Sequence, residues 1–312
     1  MPRVFAVFTS FHPDQGFADR VGGVGRQVDG TIVVDDGSGA AAEAVLGDLE
    51  RVGHRVIRSE VNRGIAAALN TGVRAAMEAG AEYVLTLDQD TSVPPGYVAD
   101  CLGTFAAAAA AGAHVAMAAP HLINGRPLLP PRPGPDGLLL VPEAIQSGLL
   151  VSASAIDRIG LFDERLFIDC VDTEYCLRTE ERGFGIAVAE DTRLEHALGE
   201  RAPLRPFGIP LRRHGRIPTY RYHGPYRRYF ITRNNIDLWF RYARRRPRWV
   251  LSSVKRELTT AITTLASGPH RLRQLRAVLA GARDGLLRRR GPMPRALRES
   301  LLPGVPGSDP VR

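Results

Sequence analysis

Four short runs of apolar and β-branched residues recur near the start of the chain, and stretches that suit helices separate them. They read RVFAVF at 3–8, TIVVD at 31–35, HRVIRS at 54–59 and YVLTLD at 83–88. Strands that alternate with helices predict a parallel sheet with helices on both faces. A further strand is expected at 114–120, and a loop or hairpin rich in Pro and Gly follows it at 121–142. The expected fold class is therefore α/β, with a mostly parallel sheet.

Polar residues follow three of these strands. Thr9 follows the first, Asp35 and Asp36 the second, and Asp88, Gln89 and Asp90 the fourth. Because ligands of open α/β sheets bind outside the carboxyl ends of the strands, the three ends predict one shared crevice. Asp88 and Asp90 also place two hard oxygen ligands on the same side of an extended chain, which suits a divalent cation. The alternative for this pair is a solvated turn from strand to loop.

Three more motifs have both a functional and a structural interpretation. In VVDDGS at 33–38, a carboxylate can accept a base N–H or can cap a turn. NRGIAAALNTG at 62–72 begins a helix whose N-terminus can face a phosphate, although its small residues also suit close packing. In IDCVDTEYCLRTEERG at 168–183, Asp169, Asp172 and Glu174 lead into a helix that contains Arg178, so helix capping is the alternative there.

Two weaker signals do not favour other functions. GGVG at 22–25 lies inside an expected helix instead of directly after the first strand, so a dinucleotide fingerprint is disfavoured. Ser147, in QSGLL, lacks the glycine pattern of a nucleophile elbow, which disfavours a serine hydrolase.

Composition limits the class of protein and its compartment. The chain has 312 residues, 44% of them hydrophobic, which suits a globular protein with a large core. Its three cysteines match neither a disulfide framework nor a metal clip, so we expect a reducing cytoplasm. The apolar run at the N-terminus is too short for a signal peptide, and no apolar run is long enough to predict a membrane span.

Charge divides the chain into two regions. Residues 1–200 contain 15 basic and 28 acidic residues, whereas residues 201–312 contain 26 basic and 5 acidic residues. Apolar stripes predict amphipathic helices over 249–266 and 271–287, and residues 226–249 interleave Arg with aromatic residues, as interfacial segments on anionic lipid do. The alternative is a helical appendage that packs on the rest of the protein or on another subunit of a homo-oligomer. Nucleic-acid binding is disfavoured, because the acidic body would repel phosphate backbones.

In the order VVDDGS, NRGIAAALNTG, LDQD, SGLLVSASAIDRIGLFDERLFIDCVDTEYCLR and LEHALG, the sequence resembles family 2 of the inverting, nucleotide-sugar-dependent glycosyltransferases. The resemblance covers about residues 4–200, and LDQD and IDCVDTEYCLR are most similar to bacterial rhamnosyltransferases. It implies a Rossmann-like GT-A catalytic domain over residues 1–200. From its charge and apolar stripes, residues 201–312 are expected to form a basic amphipathic helical region for acceptor or membrane-surface association.

The resemblance also implies roles for individual residues. The donor would be bound by Thr9, Asp35, Asn62, Gly64, Asp88, Gln89, Asp90 and Arg178. Asp88 and Asp90 match the DXD metal motif, and His196 matches a third ligand for Mn²⁺ or Mg²⁺; a lone histidine is more often structural. Asp172 matches the catalytic base. Many family members have Glu-Asp where this chain has Val171-Asp172, so only the second position can carry that role.

These roles define three hypotheses about function. The first is transfer of L-rhamnose from dTDP-L-rhamnose to a lipid-linked or polysaccharide acceptor in cell-surface glycan synthesis, at the inner face of the plasma membrane. The second keeps the scaffold but uses a UDP-hexose or UDP-galactofuranose donor. The third is a non-catalytic module that binds nucleotide sugars.

Overall fold

The computed structural model describes residues 2–127, 129–196, 200–213 and 215–302, with only the backbone of Glu200. The chain forms two compact units. The first, which we call the sheet unit, comprises Met1–Glu164 and Val171–Ala197. The second, the helical unit, comprises Arg165–Cys170 and Leu198–Arg312.

Among the described residues, the sheet unit contains one sheet of nine strands. In chain order they are β1 (Val4–Ser10), β2 (Gly30–Asp35), β3 (Arg55–Arg58), β4 (Tyr83–Asp88), β5 (Val115–Ile123), β6 (Arg132–Pro133), β7 (Leu139–Leu140), β8 (Leu149–Ser152) and β9 (Gly185–Leu194). Their order across the sheet is β3-β2-β1-β4-β8-β5-β9-β7-β6. Strands β1 to β4 are parallel, as are β5 and β9, whereas β8 is antiparallel to both β4 and β5. The predicted α/β class and mostly parallel sheet are confirmed.

The helices of the sheet unit alternate with its strands. They are α1 (Phe17–Gly25), α2 (Glu43–Arg51), α3 (Ile65–Glu78), α4 (Tyr97–Ala110), α5 (Ala153–Ile159) and α6 (Val171–Glu181). The GGVG motif lies within α1, as predicted. Strands β6 and β7 form a hairpin inside the predicted excursion at 121–142.

Apolar strands form the core of the sheet unit, and the small residues of α3 allow that helix to pack closely on the sheet. A Cβ atom on Gly72 would lie 2.2 Å from Cγ1 of Val7 in β1, which no packed side chain tolerates. Close packing therefore explains the glycine in NRGIAAALNTG.

The helical unit begins its described C-terminal part with a two-stranded antiparallel sheet, β10 (Glu200–Pro203) and β11 (Thr219–Tyr222). Four helices follow: α7 (Pro225–Tyr242), α8 (Pro247–Ser267), α9 (Arg271–Leu286) and α10 (Arg295–Leu301). The helices predicted over 249–266 and 271–287 are confirmed as α8 and α9. Among the described residues, none of the helices is long and apolar enough to cross a bilayer.

The structure of this unit differs from the sequence-based picture in two places. Residues 201–312 were expected to be helical, but β10 and β11 form there from ERAP and TYRY, segments without an apolar run. For the Arg and aromatic residues at 226–249, a lipid interface was one interpretation and packing within the protein was the other. In α7, however, Tyr229, Phe230 and Arg228 are almost completely buried. Over α7 this segment is mainly the interior of the helical unit, because its aromatic rings pack together and Arg228 and Arg233 have internal partners. Beyond α7, Arg244, Arg245 and Arg248 are exposed.

Candidate functional site

The carboxyl ends of β1, β2 and β4 are adjacent in the sheet, as predicted. Strand β1 lies between β2 and β4, with Ser10 opposite Asp35 and Thr9 opposite Asp88. The side chains that the sequence placed at separate strand ends are therefore neighbours at one edge of the sheet.

Asp35 stabilises the turn after β2. Its carboxylate accepts a hydrogen bond from the amide of Ser38 at 2.8 Å and others from the hydroxyls of Ser38 and Ser10. The turn interpretation of VVDDGS is thus correct for these contacts. A base contact by Asp35 stays a prediction.

Asp36 connects this turn to the NRG loop. Its two carboxylate oxygens accept the amides of Arg63 and Gly64, each at 2.8 Å. Burial raises the pKa of Asp36, and this outweighs the opposing effect of the two amides. Gly37 allows the contact, because a Cβ atom there would lie 2.6 Å from the backbone nitrogen of Asn62. An internal carboxylate therefore occupies the two amides at the start of α3 where a phosphate was expected.

Asp88, Asp90 and His196 form a candidate metal centre. One ligand atom from each lies within 4.8 Å of the others. The imidazole Nδ1 lies 3.1 Å from Oδ1 of Asp90, and Nε2 lies 3.8 Å from Oδ2 of Asp88. Burial raises the pKa of Asp90. His196, together with a backbone hydrogen bond and the charge of Arg20, lowers the pKa by more, so that the pKa of Asp90 is below its usual value.

The donor set fits a divalent cation. Two carboxylates and one imidazole are ligands that Mn²⁺ accepts. Oδ1 of Asp90 is buried and, apart from its contact with Nδ1 of His196, has no hydrogen-bond partner among the described residues, so it can serve as a cation ligand.

Hydrogen bonds from two other segments hold the main chain at His196 in this position. Asn124, just after β5, donates from its amide side chain to the carbonyl of His196 and accepts the backbone amide of His196. The preceding residue, Glu195, forms a pair of backbone hydrogen bonds with Ser92, both at 3.0 Å. The end of β9 is thereby joined to the loop that carries Asp88 and Asp90.

Sequence reasoning missed three residues that organise the carboxylate loop. Gln146 donates to Oδ1 of Asp88, and the amide of Asp88 donates to Oγ of Ser147 at 2.8 Å. The Ser147 and Thr91 hydroxyls are 2.6 Å apart, and Thr91 lies 2.9 Å from Nδ1 of His196. The QSG motif was considered only as a nucleophile, so its polar residues beside a buried strand were not assigned to the metal loop.

Gln89 joins the carboxylate loop to the end of β1. Its side-chain oxygen accepts the amide of Phe11 at 2.7 Å, and its backbone carbonyl accepts the guanidinium of Arg20 at 2.6 Å. These contacts give Gln89 a structural role, and the donor contact expected of it stays a prediction.

Asp172 lies in the first turn of α6, where its Oδ1 accepts the amide of Thr173 at 2.8 Å. One turn later, the buried Cys176 contacts the backbone of Ala144, whose amide donates to Sγ at 3.4 Å. Two residues after Ala144, Gln146 reaches Asp88. A short segment of backbone therefore links the helix of the predicted base to the candidate metal centre.

Arg178 has a structural role in α6. Its guanidinium donates to both oxygens of Glu174 and to the carbonyls of Ile159 and Leu161. These bonds fix the turn after α5, and nothing in this arrangement supports the donor contact predicted for Arg178. Within LEHALG, residues 197–199 lie outside the described residues.

Comparison with known proteins identifies the family of this region. Residues 25–127 match the family model described as glycosyl transferase family 2. This match confirms the resemblance to glycosyltransferase family 2 that the motifs indicated. The matched range contains Asp35, Asn62, Asp88 and Asp90 but neither Asp172 nor His196.

One curated relative is the dTDP-rhamnosyl transferase RfbF of Shigella flexneri. The two chains are 39% identical over 90 residues, which make up 29% of this chain and 27% of RfbF. The aligned part thus covers about a quarter of that relative.

Two solved structures are similar to this chain. GalNAc-T7, solved with UDP, GalNAc and Mn²⁺, has a TM-score of 0.51 and 15% identity, with 63% of this chain and 44% of that chain covered. It supports the predicted GT-A type of fold. TarS of S. aureus, solved with UDP-GlcNAc, is 14% identical with a TM-score of 0.47; the match covers 92% of this chain and 73% of the TarS chain.

Proposed function

We propose that the protein is a metal-dependent, inverting glycosyltransferase that takes its sugar from a nucleoside diphosphate. The observation that carries this proposal is the cluster of Asp88, Asp90 and His196, whose ligand atoms lie within 4.8 Å of one another. The cluster adjoins the strand ends at Thr9 and Asp35, where ligands of open α/β sheets bind.

In this proposal the donor lies across the strand ends. Thr9, Asp35, Asn62 and Gly64 line the nucleotide, and Asp88 and Asp90 hold a divalent cation together with His196. When bound, Mn²⁺ or Mg²⁺ would neutralise the charge that develops on the diphosphate leaving group. Gln146 and Thr91 keep Asp88 and His196 oriented, as outer hydrogen bonds do for metal ligands.

Asp172 is the proposed general base. It removes the proton from the acceptor hydroxyl while the hydroxyl oxygen forms a bond to the anomeric carbon. The bond from that carbon to the phosphate oxygen breaks, and the nucleoside diphosphate leaves with the electron pair. Attack from the side opposite the leaving group inverts the configuration. The first turn of a helix favours the ionised carboxylate that a base requires.

L-Rhamnose from dTDP-L-rhamnose is the donor sugar that we favour. The name of RfbF supports it, together with the LDQD and IDCVDTEYCLR motifs. A UDP-hexose or UDP-galactofuranose is the alternative on the same scaffold. The proposed acceptor is a lipid-linked or growing polysaccharide at the inner, cytoplasmic face of the plasma membrane.

A thermal-shift panel tests the donor and the cation together. The purified chain is heated with dTDP-rhamnose, UDP-galactofuranose or a UDP-hexose, each with Mn²⁺ or with EDTA. A ligand at 100 times its dissociation constant adds about 2.7 kcal/mol to the free energy of unfolding. We expect dTDP-rhamnose to raise the midpoint most, and only when Mn²⁺ is present.

Asp90→Ala is the matched test of the metal site, because it removes one ligand and leaves Asp35 in place. We expect it to abolish the shift that depends on Mn²⁺, whereas Asp157→Ala, on the exposed face of α5, should keep it. Equal shifts with EDTA would contradict the metal assignment. Binding without any turnover of the donor would favour the non-catalytic module.

A further inference from the structure

Helices α8 and α9 direct their apolar stripes away from the interior of the helical unit. On α8, Leu251, Leu258 and Ile262 are between 56% and 72% exposed. On α9, Leu272, Leu279 and Leu286 are between 61% and 84% exposed. Residues at these spacings share one face of a helix. Exposure of a whole stripe is unfavourable in water, because it leaves contiguous apolar surface without a partner.

The opposite faces of both helices are polar or small and are fixed by specific contacts. On α8, Glu257 is bound by Arg228 and Thr232, and Ser253 donates to Asn235. On α9, a Cβ atom at Gly281 would lie 2.6 Å from the carbonyl oxygen of Tyr229. Asp284 also accepts the Tyr229 hydroxyl at 2.9 Å. Neither helix can rotate its leucines inward without breaking these contacts, so the outward direction is built into the unit.

A loop beside α8 adds further exposed apolar residues. Phe207, Ile209 and Leu211 are 76%, 71% and 50% exposed, and the turn at 206–208 packs against α8. The Phe207 ring lies 5.4 Å from the guanidinium carbon of Arg271 at the start of α9. Phe207 also has φ of 52°, which is unfavourable for a bulky residue. The loop therefore presents a large ring to solvent despite both strain and exposure.

Charge indicates what covers this surface. The acidic residues of α8 and α9 are Glu257 and Asp284, and both are buried. Their exposed basic residues include Arg248, Lys255, Arg256, Arg271 and Arg276. A second copy would bring the same positive charge and be repelled. An anionic bilayer attracts each basic side chain and buries the leucines in its interface.

We propose that the helical unit docks on an anionic lipid bilayer through the loop at 206–211 and the outward stripes of α8 and α9. This inference rests on the proposed function in one respect only, namely that the bilayer is met from its cytoplasmic side. The interface is this surface and not the segment at 226–249. Vesicle binding needs neither donor nor acceptor. Failure to bind vesicles can therefore be told apart from failure of the proposed transfer reaction.

Flotation of the full chain with vesicles tests the inference. One set of vesicles contains phosphatidylglycerol and phosphatidylcholine, and the other contains phosphatidylcholine alone. The test variant is Phe207→Ser/Leu272→Ser, and the control is Val52→Ser/Val61→Ser, which changes two valines of the sheet unit that are 72% and 63% exposed. Because all four side chains are exposed, we expect unchanged thermal unfolding.

We expect the parent and the control to bind anionic vesicles alike, and the test variant to bind at least tenfold more weakly. Binding of the parent should decline as salt rises. The proposal is overturned if the parent does not bind anionic vesicles at low salt, or if the test variant binds as well as the parent. It is also overturned if the parent dimerises through this surface and does not bind the vesicles.

Discussion

The sheet unit and the helical unit use apolar and polar side chains in opposite ways. In the sheet unit, nearly all apolar residues of β1, β2 and β4 are buried, and the ends of β2 and β4 carry carboxylates. In α8 and α9 most of the leucines are exposed, while the carboxylates of Glu257 and Asp284 are buried against arginine or tyrosine. Amphipathic periodicity thus identifies two faces of a helix, but it does not determine which face is buried.

The carboxylates of the two units also have different kinds of partner. Asp35 and Asp36 accept backbone amides and serine hydroxyls, whereas Asp237 faces the guanidinium groups of Arg288 and Arg290. A carboxylate that already has an arginine partner is compensated in charge. Asp88 and Asp90 face the imidazole of His196, an arrangement that can admit a cation.

The largest effect expected from this comparison concerns the polar interior of the helical unit. Glu257→Ala leaves the buried guanidinium of Arg228 without its carboxylate, and breaking such a pair lowers the free energy of unfolding by about 3–5 kcal/mol. Urea unfolding measures it. The control is Glu299→Ala, which removes an exposed pair with Arg295 and should change stability by about 1 kcal/mol or less. Equal effects of the two changes would contradict a polar interior.

A leucine from each unit gives the next test. Leu150 in β8 is completely buried, so Leu150→Ala should lower the free energy of unfolding by about 2–5 kcal/mol. Leu272 in α9 is 84% exposed, so Leu272→Ala should change it by about 0.5 kcal/mol or less. The same chemical change is thus compared in the two units by urea unfolding. A large loss from Leu272→Ala would mean that α9 packs its leucines in solution.

The sequence predicted the sheet unit well because its signals are local. The run YVLTLD at 83–88 coincides with β4, and the carboxylates after it lie at the edge of the sheet as expected. Because the carboxyl ends of neighbouring parallel strands lie at one edge of the sheet, polar residues directly after such strands are predicted to be close together. His196 was found through a family resemblance, since a lone histidine carries no such signal.

What the sequence did not predict depends on contacts between distant segments. Gln146 and Ser147 precede β8 by a few residues, and only the antiparallel pairing of β8 with β4 places them beside Asp88. In the sequence, the arginines and aromatic residues of α7 have the composition of a lipid-facing segment. Only the structure shows that Arg228 pairs with Glu257 in the interior of the unit. The β10–β11 pair has no apolar run, so periodicity gave no indication of it.

The most direct test of the account is the turnover of the preferred donor by Asp172→Asn. Release of the nucleoside diphosphate is measured with Mn²⁺ and a lipid-linked glycan acceptor, beside donor binding by the same variant and the surface control Asp157→Asn. The account predicts unchanged donor binding and a rate about 10²–10⁴-fold lower, because only the base is removed. A rate above about a tenth of the parental value would contradict Asp172 as the base.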